Sequence, residues 1–177
     1  MVSRITAIVL LLLVLPLRAG FAETAGSGGL PGGASSLSET YESWQVGCQT
    51  KDGAKHCSLS QQQVAKNGQR LLLVELSPAE DGGLAGTLVL PFGLLLGRGV
   101  AAQVDDRPVG EPLTFRTCLP VGCLVPLMLG KDVVARLRAG TTLRLTVASS
   151  DTGHPVAFLV PLKGFAAAHD RTLALVR

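Results

Sequence analysis

The sequence predicts an all-β domain, a sandwich or partly open barrel with a short helix and a C-terminal helix, held by two local disulfides. Three observations predict it. From Tyr41 onward, short apolar runs are broken about every 8 to 12 residues by Gly, Pro or Asp, the rhythm of antiparallel strands rather than of βαβ units. Residues 142–147 (TLRLTV) alternate strictly, so Leu143, Leu145 and Val147 share one face while Thr142, Arg144 and Thr146 share the other. The four cysteines fall at separations that suit two hairpins and match neither a zinc ribbon nor a C-x-x-C redox pair.

The first segment stands apart from that domain. Residues 5–17 (ITAIVLLLLVLPL) form an apolar block preceded by Arg4, and Gly20 and Ala22 place small residues before Glu23 in the pattern of a signal cleavage site. Residues 1–22 therefore read as a signal peptide cut between Ala22 and Glu23, the rival being an uncleaved N-terminal anchor. The block is shorter than the roughly 20 residues of a spanning helix, and no later run is long enough to span, so no transmembrane segment is expected after cleavage. No cysteine follows it for lipid attachment and no twin-Arg pair precedes it. Cleavage would remove two of the 16 Lys+Arg and none of the 13 Asp+Glu, leaving 155 of the 177 residues with a net charge of +1. A near-neutral chain with scattered arginines and 4% aromatic residues disfavours nucleic acid as a partner, and 47% hydrophobic content is too high for a disordered one. The length suits one domain.

Residues 23–40 (ETAGSGGLPGGASSLSET) are rich in Gly, Ser and Ala without apolar periodicity and predict a flexible leader, which leaves 41–177 as the single β domain. Strands are predicted at 44–49, 56–62, 70–76, 87–91, 99–104, 113–118, 122–127, 142–148 and 156–161, each holding β-branched, Leu or aromatic residues between turn signals. Residues 131–138 (KDVVARLR) place Val133, Val134 and Leu137 on one side and stop at Gly140, which predicts a helix of about two turns. Residues 164–175 stack Phe165, Ala168, Thr172 and Leu173 at helical spacing, a terminal helix suited to covering the open end of a sheet. Trp44 shares a strand face with Val46 and Cys48, so both Trp44 and Phe165 are predicted to be core aromatics.

The cysteine pairing follows from hairpin geometry. A two-residue turn at Asp52-Gly53, a preferred type I′ pair, sets Cys48 opposite Cys57 at a non-hydrogen-bonded position, where Cα atoms approach closely enough to be bridged. A turn centred on Pro120-Val121 does the same for Cys118 and Cys123; a three-residue loop with Gly122 in the left-handed region is the alternative, and either keeps the pair within reach.

No constellation in the chain favours catalysis. His56, His154 and His169 share no metal-binding spacing and read as surface or capping residues. Ser58 and Ser60 alternate on a solvent face, no G-x-S-x-G elbow occurs in the mature part, and Glu80-Asp81 and Asp105-Asp106 read as turns. No cofactor is expected. The most unusual stretch is residues 91–100 (PFGLLLGRGV), either a buried crossover between strands or an apolar contact loop at Leu94, Leu95 and Leu96 for a partner or lipid.

Taken together, Trp44-Gln45-Val46-x-Cys48, Leu90-Pro91-Phe92-Gly93, Gly99-Val100, Cys118-x4-Cys123 and Leu162-Lys163-Gly164-Phe165 resemble, in order and spacing, the invasion-associated locus B family of exported bacterial proteins. The resemblance covers about residues 41 to 175. It implies a compact, exported, mostly β domain, an association with host-cell invasion in some pathogenic members, and no catalytic residues to carry over. The expected function is thus a non-enzymatic interaction protein of the bacterial envelope, supporting adhesion or invasion through an unidentified protein or envelope partner. The alternative is a periplasmic housekeeping binding or chaperone-like factor. Periplasm, outer surface and secretion all fit.

Overall fold

The computed structural model describes residues 29–177. The signal peptide, its cleavage site at Ala22 and Glu23, and residues 23–28 of the expected leader lie outside the described residues. The strands are β1 Ser36–Tyr41, β2 Trp44–Lys51, β3 Ala54–Val64, β4 Arg70–Pro78, β5 Leu84–Leu90, β6 Ala101–Val104, β7 Arg107–Pro108, β8 Thr117–Leu119, β9 Gly122–Leu129, β10 Thr142–Ala148 and β11 Pro155–Pro161. The helices are α1 Lys131–Ala139 and α2 Phe165–Val176. Seven strands make one antiparallel sheet in the order β1-β2-β3-β4-β5-β9-β8, and four make a second in the order β11-β10-β6-β7. Neither sheet closes on itself, so of the two architectures the sequence allows, this is the open two-sheet sandwich.

Alternation along the larger sheet sends Trp44, Val46, Leu59, Val74, Leu76, Leu88 and Val125 inward, all at most 1% exposed. They meet Val100, Val104, Leu145 and Val147 of the smaller sheet's side and Val134, Leu137 and Phe165 of the helices in one continuous core. α2 lies against β1 to β4 and against α1. Its entry is set by Gly164, whose φ of 91° brings the backbone so close to β1 that a Cβ there would collide with the Tyr41 carbonyl. Phe165 then packs edge-on against Trp44, ring centroids 5.0 Å apart, while the indole Nε1 donates to the Pro161 carbonyl at 3.0 Å. The outward carbonyls of β11 are taken up by side chains of β3 as well. Gln61 donates to Pro161 at 3.2 Å and Gln63 to Leu159 at 2.7 Å, which ties the smaller sheet to the larger without a strand pair.

Eight of the nine predicted strands and both helices correspond to observed elements, and the deviations have identifiable causes. Residues 36–40, expected in the leader, belong to β1, the edge strand paired with β2. Glu39 disguised it, because its inward row reads Leu37, Glu39, Tyr41; the charge is tolerated there by the Arg171 guanidinium, bonded at 2.7 and 2.8 Å, and by the Tyr41 hydroxyl at 2.7 Å. The run 113–118 is not one strand. Leu113 bridges Val100, whereas 117–119 pair with β9, so this segment switches sheets between the two contacts. β5 begins earlier than predicted, at Leu84, and runs through Gly86, whose missing side chain makes room for the backbone of Glu75.

Candidate functional site

The two bridges form as the hairpin geometry requires. Asp52 and Gly53 take φ of 51° and 77°, the left-handed pair of a type I′ turn, and Cys48 faces Cys57 in register with Cα atoms 4.1 Å apart. Cys118 faces Cys123 around the two-residue Pro120-Val121 turn, at 3.9 Å. Gly122 is required there, since a Cβ would strike the Leu90 carbonyl and the Val89 side chain.

The titratable residues disperse. His56 and His154 are exposed. Asp105 accepts the Thr141 and Thr142 N–H groups at 3.1 and 3.0 Å, and Asp81 accepts the Gly83 N–H at 2.9 Å, so both acidic pairs serve their turns. Ser58 and Ser60 lie with Gln45, Gln49, Glu75 and Ser77 on the outer face of the larger sheet, a shallow polar surface. Among the described residues, no group of three His, Cys, Asp or Glu could hold a metal ion.

His169 departs from its expected surface role. It is 6% exposed, stacked on Phe165 with rings 5° from parallel and centroids 6.0 Å apart, and its Nδ1 meets the Arg138 guanidinium at 2.9 Å. A guanidinium only donates, so Nδ1 is the acceptor and the proton sits on Nε2, which is buried without a partner. Burial, and then the Arg138 charge, hold this imidazole below the usual histidine range, with Asp170 opposing. Arg138 in turn grips Asp170 at 2.7 and 3.0 Å, clamping α1 to α2. The sequence placed His169 on the terminal helix; its i−4 spacing from Phe165 was the overlooked sign that it shares the buried face.

The apolar crossover after β5 divides. Leu94 follows the buried-crossover reading rather than the contact-loop one: it is 9% exposed and bridges Ser149, the residue after β10. Leu95 and Leu96 are 36% and 37% exposed and Phe92 60%. The loop is pinned by Leu95 N–H to the Ala148 carbonyl at 2.8 Å and by Ser150 N–H to the Gly93 carbonyl at 2.9 Å. Val64 and Leu71, flanking the β3–β4 turn, and Leu119 and Val121, on the β8–β9 hairpin, stay exposed at the same end of the larger sheet. Of eleven exposed large apolar side chains among the described residues, seven lie on these three segments, which makes this end the candidate contact surface.

Fold and surface together define a disulfide-stapled two-sheet β domain, of the kind that oxidising compartments accommodate, with apolar residues gathered at one end. Among the described residues no helix is long and apolar enough to cross a membrane. The chain belongs to the invasion-associated locus B family, whose model matches residues 44–173. It is 44% identical over 155 residues to an invasion protein B homolog of Brucella abortus, covering 87% of this chain and 89% of that one. It is 38% identical over 148 residues to invasion protein B of Bartonella bacilliformis, covering 82% and 80%. The crystal structure of invasion associated protein b from Bartonella henselae superposes with a TM-score of 0.74 at 35% identity, over 78% of this chain and 96% of that one.

Proposed function

We propose that this chain is an exported, non-enzymatic interaction protein of the bacterial envelope, and that it acts by contact through the end carrying Phe92, Leu95 and Leu96. The observation that carries the reading is the gathering of exposed apolar side chains on three neighbouring segments of a rigid, disulfide-stapled scaffold. The titratable groups give it further support, since His169, Asp105 and Asp81 are occupied in packing and turns. Support for host-cell adhesion or invasion comes from the names that the Brucella and Bartonella relatives carry. A photo-crosslinking residue at Phe92 in the oxidised mature protein should capture a partner, while the same group at Met128, exposed on the other half of the sheet, should not. Capture at neither position, or at Met128 alone, would sink the reading. Protease treatment of intact cells then places the protein: digestion means the outer surface, protection the periplasm.

A further inference from the structure

We infer that this end of the molecule docks on an anionic phospholipid surface. The inference rests on the contact reading above and names what is contacted. Phe92, Val121 and Val64, 60%, 56% and 53% exposed, stand on separate tips distributed over β3, β4, β5, β9 and β8, a width of about 19 Å at the usual ~4.8 Å strand spacing. Cations alternate with them: Lys66 and Arg70 on the first segment, Arg98 on the second and Arg116 on the third. Residues 64–71, 91–98 and 116–121 contain no Asp or Glu.

The adjoining acids are few. Glu42 is paired with Lys163 at 3.2 Å, Asp151 is engaged by the Ser149 hydroxyl and the Thr152 N–H, and Glu111 lies between Val109 and Leu113, which bond to Ala102 and Val100. At the opposite end of the larger sheet, the β2–β3 turn carries Asp52 and the β4–β5 turn Glu80 and Asp81, with Lys51, Lys55 and Lys131 beside them. The apolar tips therefore stand among four cations with no acid on their own segments.

Apolar tips carried at one end of the sheet and interleaved with cations fit a bilayer interface. The rings and branched side chains enter the boundary below the headgroups, and the guanidinium groups between them meet lipid phosphates. A second copy of this chain presents the same cations and would be repelled at this face.

The test is co-sedimentation of the oxidised mature protein with phosphatidylcholine vesicles, with and without phosphatidylglycerol. Binding should require the anionic lipid and weaken as salt rises. Arg98→Gln and Arg116→Gln should each weaken it about fivefold. Phe92→Ser should do so by at least about fivefold, and Met128→Ser should leave it unchanged. All four side chains are exposed, and matching thermal melts confirm that the variants fold. Absence of vesicle binding, equal binding to both vesicle types, or indifference to Phe92→Ser overturns the inference. If vesicles fail while a crosslinker at Phe92 captures a protein, the lipid assignment alone falls; if both fail, the contact reading falls with it.

Discussion

At the scale of single residues, the centre of the molecule is a stack of three rings. Trp44 meets Phe165 edge-on and Phe165 lies flat on His169, so one aromatic column joins β2 to α2. Trp44→Ala or Phe165→Ala should each cost about 3–5 kcal/mol, read from denaturant titrations of the oxidised protein. The double variant should lose less than the sum, because the two rings share one contact. His169 adds a pH dependence whose sign is set by its environment. Its folded state favours the neutral imidazole, while the unfolded chain takes up a proton near pH 6.5. Stability should therefore be complete above about pH 6.5 and decline as pH falls below it. Glu39 and Asp170, held low chiefly by Arg171 and Arg138, lose their contribution only at more acidic pH, below about 4.5 and 3.8. Unfolding titrations between pH 7 and 5 should show that His169→Leu flattens this slope; an unchanged slope would mean that another group governs it. Trp44 and Phe165 were legible in the sequence because alternation and helical spacing identify an inward face. Their mutual contact was not, since 121 positions separate them and only the fold sets the distance.

At the scale of elements, the strands that read most clearly are those with one wet face. β10 has the predicted bounds because Thr, Arg and Thr alternate with Leu, Leu and Val. β1 escaped because its inward row contains Glu39, whose partner Arg171 lies in the final helix. A polar residue in a half-buried row is intelligible only together with what neutralises it. The α2 connection makes the sharpest prediction at this scale. Gly164→Ala introduces both a left-handed alanine and a collision with Tyr41, and should lower stability by more than about 1 kcal/mol. The loss should appear as faster amide exchange in α2 than in β4. Opening the Cys48–Cys57 bridge by a double Ser substitution should cost about 2–3 kcal/mol. The paired cysteines were legible because a two-residue turn fixes the strand register on both sides of it.

For the molecule as a whole, the sandwich was foreseeable from the strand rhythm, but the division into seven and four strands was not. That division depends on where residues 113–117 leave one sheet for the other, and the sequence there offers only Pro112 as a marker. The contact surface was half legible: the leucine run stood out, whereas Val64, Leu119 and Val121 are brought beside it only by the strand order. The edge position of β1 predicts how the N-terminal region tolerates truncation. A chain beginning at residue 29 should keep the full stability, and one beginning at Trp44 should lose several kcal/mol, having shed Leu30, Leu37, Tyr41 and the Glu39–Arg171 pair; thermal melts distinguish them. The bridges, finally, join each cysteine to its immediate successor along the chain, nine and five positions apart. As the polypeptide threads into an oxidising space, the first pair can shut before the second arrives, and the correct partner is always the nearest thiol. Maturation should then need an oxidant but no reshuffling enzyme. Cells lacking their disulfide isomerase should accumulate this protein at normal yield, whereas loss of the thiol oxidase should deplete it.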